Sequence, residues 1–186
     1  TTEEEILKLI SIYNQDNEID GIMVQLPIPM HIRSENVIDS ISFEKDVDGF
    51  NSKNIGLLAL GRPHVIPCTP LGCLKLLQGE LNLSGKDIII IGRSNIVGKP
   101  LSLLLTSENA TVTLAHSKTK NLKSLCRNKD VIIAATGIPN MVKKDWVNNK
   151  SIIIDVGINQ ILDNNKNKIL VGDVDFAAVF SKVKAI

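Results

Sequence analysis

Aromatic side chains make up only 3% of the 186 residues, and neither sign of charge is in excess: 21 Lys and Arg stand against 20 Asp and Glu, a net charge of +1. The first shortage removes the stacking platforms that bind single-stranded nucleic acid. The second removes the basic surface that nucleic acid or an anionic membrane would need. Cysteine is scarce and irregularly spaced. Cys68, Cys73 and Cys126 form neither a Cys-x-x-Cys pair nor a disulfide framework, which fits a reducing compartment. Long apolar runs are missing as well, since 88–91 and 131–135 are far too short to span a membrane. The first 30 residues hold no basic region followed by an apolar stretch, so no signal peptide and a cytoplasmic location are expected. The chain opens Thr-Thr-Glu-Glu-Glu-Ile, without a Met, as if cut from something longer. At 44% hydrophobic and 22% charged residues, it can bury a sizeable core, which excludes disorder as the overall state.

What is present is an alternation of short strands and helices. Residues 22–26, 88–91, 111–115, 131–135 and 152–156 are brief aliphatic runs, the four consecutive isoleucines at 88–91 being the strongest. Strands buried on both faces read as continuous apolar runs, which points to a parallel sheet. Helical spacing or start signals mark 3–13, 71–78, 97–107, 121–127 and 143–149, with Thr69 as expected N-cap and Pro70 as first helical residue of the second. Strands alternating with helices of about ten residues indicate βαβ units and an α/β fold. Three prolines in nine residues (62–70) suggest a stiff connector at a domain boundary, and 163–168 reads as a polar surface turn.

The isoleucine run leads into Gly92-Arg93-Ser94-Asn95-Ile96-Val97-Gly98-Lys99-Pro100. A glycine here lets the backbone turn sharply beside a pyrophosphate, and a helix N-terminus offers free N–H groups and a positive dipole. The spacing is G-x-S-x-x-x-G rather than G-x-G-x-x-G, so an ordinary βα turn also accounts for it. The next strand ends in His116-Ser117-Lys118, where an NAD site carries an acid for the ribose hydroxyl. Hydroxyl and basic groups there, with Arg93 in the loop, suit a 2′-phosphate and favour NADP; a solvated strand end is the alternative. A hydrolase elbow would need glycine where Ile96 stands.

Two further stretches carry polar groups in unusual places. Asp20-Gly21-Ile22-Met23-Val24-Gln25-Leu26-Pro27 sets an amide inside an apolar strand, where it needs partners or a structural role. Glu44-Lys45-Asp46-Val47-Asp48-Gly49-Phe50 brings two carboxylates together before a glycine, as a binding loop or a solvated turn. It offers too few oxygens for a calcium site. His31, His64 and His116, taken with the cysteines, do not form a zinc spacing, so no metal is expected.

These stretches, with Pro67-Cys68-Thr69-Pro70-x-Gly72, His116-Ser117-Lys118-Thr119 and Asp155-Val156-Gly157-Ile158-Asn159, occur in one order over nearly the whole chain. Together they resemble the bifunctional methylenetetrahydrofolate dehydrogenase/methenyltetrahydrofolate cyclohydrolase family. The resemblance implies a partial catalytic, folate-side domain over 1–67 and a Rossmann-type NADP-binding domain over 68–186, with a cleft between them. It implies NADP-dependent oxidation of methylenetetrahydrofolate and hydrolysis of the product to formyltetrahydrofolate, in one-carbon metabolism and purine biosynthesis, by a homodimer. Carried across, Gly92, Arg93 and Ser94 contact the NADP phosphates and ribose, and Ser117 with Arg93 receives the 2′-phosphate. Thr69, Gly137 and Ile158 lie along the cofactor. Gln25 positions the catalytic lysine, and Asp48 accepts N–H bonds from the pterin of the tetrahydrofolate substrate.

The departures are at the ends. Family members carry an acid/base lysine in Tyr-x-x-x-Lys, whereas the only tyrosine here, Tyr13, precedes Asn14-Gln15-Asp16-Asn17. The family's Pro-Gly-Gly-Val-Gly-Pro-like folate loop and final helix are not found either. The expectation is a piece of such an enzyme, or a remnant that keeps a dinucleotide-binding fold without its chemistry.

Overall fold

The computed structural model describes residues 1–163 and 166–186. Asn164 and Asn165, inside the polar turn expected over 163–168, lie outside the described residues. The chain divides into two compact units, Thr1–Leu71 and Gly72–Ile186.

The first unit starts with α1 (Glu3–Gln15), closed by a capping box. The Thr2 hydroxyl accepts from the Glu5 N–H (3.2 Å), and the Glu5 carboxylate accepts from the Thr2 N–H (2.8 Å). These bonds satisfy donors that a helix start otherwise leaves open. Ile10 of α1 packs with Ile22, Ile32, Val37 and Ile41 into a small aliphatic core, to which α2 (Ser34–Ser40) contributes Val37. Glu3 ties α1 to the start of α2. It accepts from the Arg33 backbone and guanidinium (both 2.8 Å) and from Asn36 (2.9 Å), and these partners hold its carboxyl at about 2. Helix α3 (Ser52–Ala59) begins at Asn51, whose side-chain oxygen caps the Lys53 N–H.

Residues 22–26 do not form the expected buried strand. Ile22 makes one parallel bridge to Asp46 and is buried, while Met23 is 60% exposed and Gln25 is exposed. A single partner segment supplies a bridge but no ladder, so the run alternates in and out instead of sinking on both faces.

Helix α4 (Cys68–Glu80) crosses the division between the units. It starts before the expected cap: the Leu71 N–H already donates to the Pro67 carbonyl (3.0 Å). Thr69 and Pro70 therefore sit inside the first turn, where a missing N–H costs nothing.

The second unit is built on a four-stranded parallel sheet of order β2-β1-β3-β4, with β1 Asp87–Ile91, β2 Thr111–Ala115, β3 Val131–Ala134 and β4 Ile152–Asp155. Each strand lies within a residue of the aliphatic run that predicted it. Chain order steps from β1 out to β2 and then back across β1 to β3, which is a Rossmann-type topology with its switch point between β1 and β3. The connections carry α5 (Gly98–Ser107) after β1 and α6 (Leu122–Arg127) after β2, as crossovers between parallel strands must. Ile89, Ile91, Ile132, Ala134 and Ile153 form one core with Cys126 of α6, Val142, Val147 and Val174. Ile88, Ile90 and Ile133 alternate to the other face and are also fully buried, and α5 packs on β1 and β2 with Leu101 and Leu105 buried. Sealing both faces is why the strands read as unbroken apolar runs.

The helix expected over 143–149 shrinks to a 3₁₀ turn, Lys144–Trp146. Asn148 ends it, because its side-chain oxygen accepts from the Lys150 N–H (2.8 Å) and offers the backbone a competing turn. An antiparallel hairpin of β5 (Asn159–Leu162) and β6 (Lys168–Val171), and the short α7 (Phe176–Val179), complete the unit.

Ile132, fully buried at the centre of β3, tests this account. Ile132→Ala is expected to lower the stability of the second unit by about 2–5 kcal/mol in urea unfolding, whereas a loss below about 1 kcal/mol would mean the sheet is not packed on both faces.

Candidate functional site

The carboxyl ends of β1, β2 and β3 open into a cleft of about 560 Å³. Its walls come from Gly92, Arg93 and Ser94 after β1, from His116, Ser117 and Thr119 after β2, and from Thr136 and Ile138 after β3. Leu122, Lys123, Met141 and Trp146 close the side. In open α/β sheets ligands bind at this end, at the switch point.

The loop after β1 is shaped by two backbone approaches. Gly92 has φ +130°, and a Cβ on it would overlap the Ala135 carbonyl; a Cβ on Gly98 would overlap the Gly92 carbonyl. Both positions therefore demand glycine, one for its dihedral and both for space. The middle position is a serine for a different reason. The Ser94 hydroxyl accepts from the Val97 and Gly98 N–H groups (3.1 and 3.4 Å), and its carbonyl accepts from Lys99 (3.1 Å). With Pro100 lacking an N–H, the start of α5 keeps few free donors, contrary to the expectation of an open helix N-terminus. The free backbone donors lie earlier instead. Among the described residues the N–H groups of Arg93, Asn95 and Ile96 have no partner. An anion at this loop would meet those amides, the Ser94 hydroxyl proton and the exposed Arg93 guanidinium.

After β2 the chain makes a tight turn, in which the Thr119 N–H donates to the His116 carbonyl (2.8 Å) and the His116 N–H to the Thr119 hydroxyl (2.9 Å). Ser117 stands exposed at its tip with no partner among the described residues. Among the described residues no aspartate or glutamate lines the cleft.

Behind the loop after β3 is a buried carboxylate. Asp173 is inaccessible to solvent and accepts from the Thr136 N–H (2.5 Å), the Thr136 hydroxyl (3.0 Å), the Gly137 N–H (3.0 Å) and the Asn159 amide (2.8 Å). Asp155, at the end of β4, accepts in turn from the Asp173 and Val174 N–H groups (2.9 and 3.0 Å). The two side chains lock the loops at the ends of β3 and β4. In the sequence Asp155 stands only within a motif, and Asp173, Thr136 and Trp146 are not singled out. The Gly172-Asp173 pair after an aliphatic run was the available signal.

Of the expected site residues, Gly92, Arg93, Ser94 and Ser117 share this cleft. Gly137 is exposed beside Thr136, and Ile158 is 84% exposed in the loop after β4. Thr69, Gln25 and Asp48 belong to the first unit. Gln25 is not the buried amide expected, because its segment forms no ladder; among the described residues its Nε2 donates only to the adjacent Leu26 carbonyl (3.2 Å). Of the two loop carboxylates, Asp46 is the structural one. It is buried and accepts from the Gly49 and Asn51 N–H groups (3.0 and 2.8 Å) and from the Asn54 amide (2.8 Å). Asp48 is half-buried and has no hydrogen-bond partner among the described residues. Burial, with the neighbouring Asp46 charge, pushes its carboxyl above the usual range. The buried thiols are poor nucleophiles: burial raises Cys73 and pushes Cys126 up to about 12.

Comparison with known proteins gives a consistent result. Residues 67–186 match the family described as tetrahydrofolate dehydrogenase/cyclohydrolase, NAD(P)-binding domain, and residues 1–48 match its catalytic domain. The chain is 50% identical over 187 residues to a bifunctional protein FolD of Wolbachia pipientis, covering all of this chain and 63% of that protein. A crystal structure of the bifunctional FolD methylenetetrahydrofolate dehydrogenase/cyclohydrolase from Campylobacter jejuni is 45% identical with a TM-score of 0.93, covering 100% of this chain and 65% of that one. A Trypanosoma brucei methylenetetrahydrofolate dehydrogenase-cyclohydrolase, solved with NADP and an inhibitor, is 32% identical with a TM-score of 0.93, again over 100% of this chain and 65% of that one. The chain thus spans a little under two thirds of the relatives it matches.

The Asp48 carboxyl gives a pH test. Its folded pKa lies above the unfolded one, so the folded state binds more protons between the two values and loses stability as pH rises through them. Asp48→Asn is therefore expected to raise the melting temperature at neutral pH, the gain fading near about pH 4. A gain that persists unchanged in acid would remove the Asp48 charge as its cause.

Proposed function

Because this chain belongs to the tetrahydrofolate dehydrogenase/cyclohydrolase family, we propose that its cleft binds NADP and that it serves two linked reactions. These are oxidation of methylenetetrahydrofolate to methenyltetrahydrofolate and hydrolysis of that product to formyltetrahydrofolate. In this reading 1–67 belong to the folate side and 68–186 to the cofactor domain, within a cytoplasmic, homodimeric enzyme of one-carbon metabolism and purine biosynthesis.

The observation that carries the reading is the set of groups facing the cleft. Arg93 and Ser117 face it together, and among the described residues no carboxylate does. A carboxylate at the end of β2 would bind a ribose hydroxyl and repel a 2′-phosphate; a guanidinium and a hydroxyl attract the phosphate. Gly92 and Gly98 bring the backbone close enough for the unpartnered amides of the loop to reach the bridging phosphates, and Ser94 adds a donor there. Thr69, Gly137 and Ile158 are assigned to the rest of the cofactor. When bound, NADP supplies the hydride acceptor. Asp173 holds Thr136 and Gly137 in place at the edge of that site, so the ordering is done before binding.

On the folate side, Asp48 has both oxygens uncommitted and a raised pKa, and N–H donors from a pterin ring would stabilise its charged form. Gln25 is assigned to orient the acid/base lysine that the family motif Tyr-x-x-x-Lys supplies. That motif does not occur in these 186 residues. This chain alone is therefore expected to bind NADP without forming NADPH from methylenetetrahydrofolate. The absorbance of NADPH reads this directly, and clear turnover would assign the proton transfer to another group.

The cofactor assignment has its own test. The double variant Arg93→Ala, Ser117→Ala is expected to reduce the preference for NADP over NAD by about tenfold or more in equilibrium binding, the loss of charge-assisted hydrogen bonds. An unchanged preference would place the 2′-phosphate elsewhere.

A further inference from the structure

Lys123 is the lysine that lines the cleft, on the first turn of α6 directly after the Ser117 turn. Its ammonium does not face the cavity unengaged. It forms a close ion pair with Asp145 on the 3₁₀ turn opposite. The pair is about half-exposed on both sides, at 45% and 52%, so water screens it and it is weak by nature. Asp145 has a second neighbour, since Arg127, one turn further along α6, donates from Nε to the Asp145 carbonyl (2.8 Å). That bond goes to the main chain, but the Arg127 charge also acts on the Asp145 carboxylate, which at half exposure would stay hydrated if Lys123 left it. Lys99, on the first turn of α5, is held by Asn95 (2.7 Å) on the loop itself.

We infer that Lys123 is a specificity-determining residue of the cleft, held aside by Asp145 and exchanged onto the 2′-phosphate of the nucleotide when one binds. The inference rests on the NADP reading above. Its chemistry is an exchange of partners: a long, flexible ammonium leaves a screened carboxylate for a phosphate that carries more charge and already faces Arg93. Asp145 therefore acts against nucleotide affinity. That sets it apart from a pair that merely ties α6 to the 3₁₀ turn, where losing either partner would have the same sign.

The test uses the 186-residue chain and two probes that differ only in the phosphate at issue, adenosine 2′,5′-bisphosphate and adenosine 5′-monophosphate, titrated by calorimetry. Lys123→Gln is expected to weaken the bisphosphate about tenfold and leave the monophosphate unchanged. Asp145→Asn is expected to tighten the bisphosphate about two- to fivefold, and that gain should vanish in the Lys123→Gln background. Equal bisphosphate affinity in Lys123→Gln, or an Asp145→Asn gain that survives without Lys123, would overturn the inference while leaving the cofactor reading intact. Failure of the parent chain to bind the bisphosphate more tightly than the monophosphate would overturn both.

Discussion

The close approach of three backbone segments at Gly92 is the constraint on which the cofactor side of this chain depends. The end of β1, the start of α5 and the end of β3 meet there at distances that leave no room for a Cβ on Gly92 or Gly98. The contact sets where the sheet stops and where the cavity begins. Any larger residue would push α5 off β1 or β3 away from it, and the cleft would change shape along with the core. The four-isoleucine strand and the glycine loop are thus parts of one device, a rigid apolar support and a turn tight enough to expose its amides.

A second device is polar. Asp155, exposed at the end of β4, and Asp173, fully buried, between them fix the loops that follow β3 and β4. A buried carboxylate is costly unless its oxygens are satisfied, and Asp173 accepts from several backbone and side-chain donors. Asp46 repeats the arrangement in the first unit, where it anchors the turn that presents Asp48. In both units buried carboxylates are spent on shape: Asp173 holds Thr136 and Gly137 in place, and Asp46 leaves Asp48 beside it without a partner among the described residues. The near-zero net charge fits the proposed reading, in which Arg93, Ser117 and Lys123, which line one cleft, meet an anion locally rather than over a basic surface.

The cofactor-domain strands were legible because two-sided burial forces continuous aliphatic runs, and the helices α1 and α5 because apolar spacing and a glycine-bearing turn are local signals. Residues 22–26 misled for the same reason in reverse. An apolar run signals burial, but whether it is buried on both faces depends on neighbours far away in sequence, and Ile22 has a single bridging partner. The 143–149 helix failed because the Asn148 turn competes with it. The hairpin β5–β6 and the buried Asp173 were not seen, as neither a short exposed strand nor an acid satisfied by distant amides leaves a periodic trace.

The sequence by itself determined the α/β class, the order of the cofactor-domain strands along the chain, the glycine-serine loop and the absence of an acid after β2, because each is a matter of local residue type or spacing. Six ordered motifs also determined the family. The tertiary structure alone decided that Ser94 caps the start of α5 and moves the free amides back along the loop. It alone decided that Asp46 is structural while Asp48 is open, and that Lys123 shares the cleft with Arg93 and Ser117 while paired to Asp145. These are contacts between residues brought together by folding, and their energies depend on distance, burial and partner count, none of which a linear pattern carries.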